Sequence, residues 1–158
     1  MKNGLIKEYY DRNKIKVKYE SYYVDGQRHR INGPAIICYY NNGNIKYESY
    51  CVNNQYHNTN GPAVIWYYKN GKVESEYYYI NDQRHNINGP AVIYHRENGK
   101  VGYESYYIND QRHCNTGPAY IYYNINGNII SEEYWLNGIK YDEILKWMVA
   151  VGCSKNKE

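Results

Sequence analysis

Four copies of one short motif dictate the architecture of this chain. Ile31-Asn32-Gly33-Pro34-Ala35-Ile36-Ile37 returns as Asn60-Gly61-Pro62-Ala63-Val64-Ile65 and as Asn88-Gly89-Pro90-Ala91-Val92-Ile93. It returns once more as Gly117-Pro118-Ala119-Tyr120-Ile121. The glycines stand 28 residues apart without slippage. A strict period of this size belongs to a repeat array, in which each unit buries its apolar side against its neighbours. The units read 4–32, 33–60, 61–88, 89–116 and 117–141, with a capping helix over 142–152 and a disordered tail over 153–158. The first unit is degenerate: Leu5 replaces the proline, and an extra residue falls near Lys14-Ile15-Lys16.

Each unit carries the signals of β-hairpins. In 33–60 the apolar run Ala35 to Tyr40 is broken by Asn41-Asn42-Gly43. The run Ile45 to Val52 follows and is broken by Asn53-Asn54. Asn-Gly and Asn-Asp pairs tolerate positive φ and fit tight hairpin turns. Two strands per unit give an antiparallel meander of about ten strands. The fold class is therefore all-β, an elongated single-layer meander with a short C-terminal helix.

Gly-Pro inside a strand weakens the ladder, so Gly33-Pro34, Gly61-Pro62, Gly89-Pro90 and Gly117-Pro118 mark a kink. The stretch from Gln55 to Tyr68 is expected to form one bent strand, and Gly61→Val is expected to disrupt folding. A three-residue loop at Asn41-Asn42-Gly43 would pair Tyr40 with Asn44. That register puts Ala35, Ile37 and Tyr39 on one packed face with Ile45, Tyr47, Ser49 and Cys51, since side chains alternate along a strand.

After Tyr141 the apolar spacing changes to that of a helix, with Asp142 as cap and Gly152 as stop. Such a helix would cover the open end of the meander.

Composition narrows the function. The chain has 24 Tyr, 3 Trp, no Phe and a net charge of +3. No run of basic residues favours nucleic acid, and no apolar run is long enough to span a membrane. The four cysteines form no C-x-x-C pair. Cys38 takes a slot filled elsewhere by Trp66, Tyr94 and Tyr122, and Cys51 a slot filled by Tyr23, Tyr79, Tyr107 and Trp135. They read as free core thiols, with no metal or cofactor implied. Together with the lack of a signal peptide, this suggests a soluble intracellular protein.

Three polar series also recur with the period. They are Glu20, Glu48, Glu76, Glu104 and Glu132; Tyr22, Tyr50, Tyr78, Tyr106 and Tyr134; and His29, His57, His85 and His113. Each hairpin is expected to bring one Glu, Tyr and His together as a structural ladder. An enzyme would need one asymmetric site, for which Glu76, Arg84 and His85 are the best trio. Tyr40, Trp66, Tyr68, Tyr94 and Tyr122 gather at the end of each first strand. Aromatic side chains are enriched in protein interfaces, so these five form the candidate binding surface.

The unit His-x(3)-Gly-Pro-Ala-(Val/Ile)-Ile, followed by Asn-Gly and Glu-x-Tyr, resembles the MORN-type repeat over about residues 3–141. More narrowly it resembles the longer Gly-Pro-Ala variants carried by giant DNA viruses of amoebae, and the abundance of Asn, Lys, Ile and Tyr, as an AT-rich genome would encode, suits such a source. The resemblance implies an antiparallel β array used for binding, scaffolding or dimerisation, without catalytic residues. It places such a protein in host cytoplasm or virion. The function expected is a protein-interaction module, self-association included. The rivals are a phospholipid-surface binder, an antitoxin-like partner and an enzyme using the Glu-His-Arg trio.

Overall fold

A computed structural model of the chain describes residues 1–152. β1 (Gly4–Tyr9) pairs with β2 (Val17–Val24), and β3 (Gln27–Arg28) folds back on the end of β2. The next unit holds β4 (Ile36–Tyr39), β5 (Ile45–Ser49), β6 (Cys51–Val52) and β7 (Gln55–Tyr56). The same four parts return as β8 (Val64–Tyr67), β9 (Val73–Tyr77), β10 (Tyr79–Ile80) and β11 (Gln83–Arg84). They return again as β12 (Val92–His95), β13 (Val101–Ser105), β14 (Tyr107–Ile108) and β15 (Gln111–Arg112). β16 (Tyr120–Tyr123), β17 (Ile129–Leu136), β18 (Ile139–Tyr141) and α1 (Ile144–Ala150) end the described chain.

The long strands form one open antiparallel meander in the order β1-β2-β4-β5-β8-β9-β12-β13-β16-β17-β18. The all-β fold class with a short C-terminal helix is thus the one read from the repeats. The short strands form separate hairpins, β6 with β7, β10 with β11 and β14 with β15. These hairpins join one another along the array: Asp82 N–H donates to Tyr56 O and Asp110 N–H to Arg84 O, both at 3.0 Å. Each unit therefore contributes a long hairpin to the main sheet and a short one to a parallel row beside it.

Both turn types follow from their residues. Asn53 and Asn54 have φ of 51° and 66°, and Asn81 and Asp82 have 50° and 65°. Two successive positive φ values match the twist of the strands they join, and Asn and Asp tolerate them best. In the longer loop Gly43 has φ of 89° and Tyr40 N–H donates to Asn44 O at 2.8 Å, so the expected closing pair forms.

The face assignment, however, needs correction. Beyond Tyr39↔Ile45 the register shifts, and Cys38 pairs with Tyr47, Ile37 with Glu48 and Ile36 with Ser49. Lys46 is left as a bulge. The same shift leaves Lys18, Glu74, Gly102 and Ile130 unpaired in the other long hairpins. One extra residue on one strand exchanges the faces beyond it. Tyr47, Ser49 and Cys51 do share the packed face, but their companions are Ile36 and Cys38. Ile37 and Tyr39 lie on the opposite face with Glu48.

The bent strand from Gln55 to Tyr68 is also corrected. Residues 57–63 lie outside any strand, between β7 and β8. The Asn58 side chain holds this turn, donating to Pro62 O at 2.9 Å and accepting from Asn60 N–H at 3.0 Å. Asn58 satisfies backbone groups that a continuous strand would have paired. The alanine after each Gly-Pro is fully buried, and its N–H and C=O bridge two flanking strands: Ala63 donates to Tyr77 O and accepts from Tyr50 N–H, both at 2.8 Å.

The core is thin. Ala35, Ile36 and Cys51 form one cluster, flanked by Tyr19, Cys38, Tyr47 and Tyr56. Ala91, Val92 and Tyr107 form another, flanked by Tyr77, Tyr78 and Tyr103. Ser21, Ser49, Ser75 and Ser105 are also buried. Cys38, Cys51 and Cys114 are free thiols, and burial pushes Cys38 and Cys51 above the ordinary thiol range. The readings of Cys153 and of the tail 153–158 lie outside the described residues.

Two glycines behave oppositely. A Cβ on Gly102 would lie 2.7 Å from the Tyr94 ring, whereas one on Gly61 meets only the Asn58 amide at 3.8 Å. Gly61 also lacks a positive φ, which removes the steric reason for expecting its substitution to unfold the chain. Gly102→Ala is expected to cost about 1–3 kcal/mol through overpacking. Gly61→Ala should stay within about 0.5 kcal/mol. Urea unfolding of the two variants against the parent checks both values.

Candidate functional site

The bulge gathers one class of side chain on the packed face. Trp66 leans on Tyr47 with ring centres 4.6 Å apart, and Tyr94 stacks on Tyr103 at 5.4 Å. From the short hairpins come Tyr56 and Tyr79, 5.5 Å apart, and Tyr107. Such ring pairs contribute about 0.5–1.5 kcal/mol each beyond the area they bury.

Arginines close this surface. The Arg84 guanidinium lies 4.0 Å above the Tyr107 ring and its Nε is 2.6 Å from Asp110 Oδ1. Arg112 stands 5.2 Å over Tyr120 and 5.0 Å over Trp135, and donates to Tyr107 Oη at 3.2 Å. Its Nη1 meets Glu133 Oε2 at 2.9 Å. Glu133 also accepts from the Trp135 indole N–H at 3.0 Å and Lys140 Nζ at 2.8 Å. Burial alone would raise the Tyr107 hydroxyl, but hydrogen bonds from Ser105 and Arg112 carry its pKa below the ordinary phenol value. Burial, with Tyr77 and Tyr120 nearby, pushes Tyr103 up to about 12. Tyr103 therefore stays protonated near neutrality.

Of the five residues expected to bind, Trp66, Tyr94 and Tyr122 form this face, and Tyr68 borders it with its hydroxyl 3.1 Å from that of Tyr94. Trp66 and Tyr122 are each 37% exposed, and Tyr94 is half-buried. Tyr40 and Tyr68 turn their hydroxyls to the next unit, donating to Tyr67 O at 2.8 Å and His95 O at 2.7 Å. Arg96 does the same to Tyr123 O at 2.6 Å. This slot stitches neighbouring units.

The expected Glu-Tyr-His clusters do not form either. His57 N–H meets Tyr50 O at 3.1 Å, so the backbones pair as expected. The rings go elsewhere. His29, His57, His85 and His113 each place Nδ1 at 2.7–2.8 Å from Oδ1 of Asn53, Asn81, Asn109 and Asn137 in the next short turn. Three glutamates on the opposite face bond to the strand of the next unit. Glu48 accepts from Tyr67 Oη at 2.6 Å, Glu76 meets His95 Nε2 at 3.0 Å and Glu104 accepts from Tyr123 Oη at 3.1 Å. Glu20 pairs with Lys7 at 2.8 Å, and Glu132 accepts from Tyr134 at 3.3 Å. The trio Glu76, Arg84 and His85 thus has three separate partners: His95, Asp110 and Asn109. Among the described residues no three His, Cys, Asp or Glu side chains gather as metal ligands.

Sequence reasoning missed the arginines as members of this surface. There Arg84 figures only in the trio with Glu76 and His85. A usable signal was present: Arg28, Arg84 and Arg112 share one period slot, in which Tyr56 supplies an aromatic ring.

No helix of the described chain is long and apolar enough to cross a membrane. Compared with protein-family models, curated proteins and solved structures, the chain matches none.

The carboxylate at the end of the aromatic face gives a pH dependence. The hydrogen bond from Lys140 and that from Trp135, against burial, hold Glu133 below its ordinary 4.5. A carboxylate with a lowered folded pKa stabilises fully above the unfolded value, and that contribution is lost as pH falls through the folded one. Thermal scans from about pH 5 to about pH 2 should therefore show a smaller fall in Tm for Glu133→Gln than for the parent.

Proposed function

We propose that this chain is a non-enzymatic protein-interaction module, of the MORN-like kind it resembles, that binds through the aromatic–arginine face. The observation that carries this reading is the exposure of Trp66 and Tyr122 on a face whose other rings are packed. Trp, Tyr and Arg are the side chains that dominate binding energy at protein interfaces. Rigid rings lose little conformational freedom on binding, and the neighbouring strands already hold them in place. Repetition supports the same reading, because similar side chains at successive units offer a partner several weak contacts at once.

The arginines of the face are engaged by carboxylates and rings, which favours a protein partner over an anionic lipid surface. Glu48, Glu76 and Glu104 are spent in joining units, and His85 in joining short turns. Those engagements support a structural role for the polar series.

Crosslinking capture from the native cell is the test, run with the parent and with a Trp66→Ala/Tyr122→Ala variant. The parent is expected to retain a defined protein, or a second copy of itself by sedimentation. The variant should keep its Tm within a few degrees and lose that partner. An unchanged partner with the variant, or binding of the parent to phosphatidylserine vesicles alone, overturns the proposal.

A further inference from the structure

The face opposite Arg84 and Arg112 carries a repeated cleft, and the chain's own helix occupies its last copy. In the final unit the Trp147 indole packs on Tyr134 with ring centres 5.0 Å apart, and its N–H donates to Cys114 O at 3.2 Å. Trp147 is only 6% exposed and is the buried residue of α1. Tyr134 and Cys114 are period positions. One unit earlier their places are held by Tyr106 and Asn86, and two units earlier by Tyr78 and Asn58.

At both earlier places the structure has an open cleft. One, of about 570 Å³, has Tyr78, Ile80 and His85 on its walls. The next, of about 430 Å³, has Tyr106, Ile108 and His113 at the matching positions. Asn58 and Asn86 line them where Cys114 receives the indole. Both clefts fall within the roughly 300–1,000 Å³ usual for binding pockets. Their walls carry amide, imidazole and apolar groups with no Lys, Arg, Asp or Glu, which suits an uncharged ring with one N–H. At the other end of the row the Tyr22 ring is already covered, by the Arg30 guanidinium at 3.8 Å.

We infer that the Tyr78 and Tyr106 clefts are docking seats for tryptophan side chains on a helical segment of another protein. The occupant is specified by the chain itself, because α1 displays the ligand that this cleft geometry accepts. A second copy does not fit the count: each copy has one Trp147, and it is already seated. The clefts lie on the face away from Trp66 and Tyr122, so this inference stands apart from the proposed function.

A peptide reproducing residues 141–152 is the probe, titrated into the isotopically labelled full chain and followed by NMR. Amide shifts are expected around Tyr78 and Tyr106, with binding at least tenfold weaker for the same peptide carrying Trp147→Ala. Tyr106→Ala in the chain should remove one set of shifts and leave the other, with Tyr78→Ala doing the reverse. Trp66→Ala/Tyr122→Ala should leave both sets unchanged. Equal affinity of the two peptides, or no saturable binding, overturns the inference. So do shifts confined to the Tyr134 groove, which signal exchange with α1, or a Trp147-dependent dimer, which makes the occupant a second copy. The wild-type shift map and the two peptides decide the matter even if a cleft variant fails to fold.

Discussion

In every long hairpin one residue of the second strand has no partner, and the two faces of the sheet are defined by that slip. Without it Ile37 and Tyr39 would join Tyr47, and Glu48 would point into the packed side. With it, Glu48, Glu76 and Glu104 each meet a tyrosine or histidine of the next unit, and Trp66 and Tyr94 lean on Tyr47 and Tyr103. The bulge is tolerated because its side chain faces outward in most units. In the third full unit it is Gly102, where the Tyr94 ring fills the space a side chain would need.

The stitching between units is unusually polar for so thin a core. Backbone N–H groups, asparagine and lysine side chains, and tyrosine hydroxyls all reach to the unit next along, as when Lys72 Nζ donates to Glu97 O at 3.1 Å. Each neutral bond of this sort contributes only about 0.5–1.5 kcal/mol. Their number and their repetition substitute for a deep apolar interior. Tyrosine suits this plan: its ring packs while its hydroxyl reaches a carbonyl, something phenylalanine does not offer. The absence of Phe from the sequence agrees with that demand.

The period, the two turns and the final helix were legible because each has a local chemical cause. Asn-Asp and Asn-Gly pairs mark positive φ, and the apolar spacing after Tyr141 marks a helix. The helix boundaries were less legible: Glu143 is the cap, without a side-chain bond, in place of Asp142. The bulge left no trace, since Lys18, Lys46, Glu74, Gly102 and Ile130 share no chemistry. The partners of His29 and Glu48 were hidden for another reason. They lie 24 and 19 residues away across unit boundaries, while reasoning within one hairpin sees only neighbours inside it. Tyr40 and Trp66 looked alike in sequence, and the hydroxyl bond from Tyr40 to Tyr67 O is what separates a stitch from an exposed ring.

The seat of Trp147 is built wholly from the last unit and the loop before it. A further 28-residue unit inserted ahead of Gly117 would reproduce every contact of its neighbours and carry the helix outward with it. Chain length in this architecture is therefore an adjustable dimension. Each insertion lengthens the molecule by two long strands, on the order of 10 Å, and adds one more cleft at the same spacing. Such a chain can serve as a ruler whose reach is set by counting, with its end still closed by the same indole.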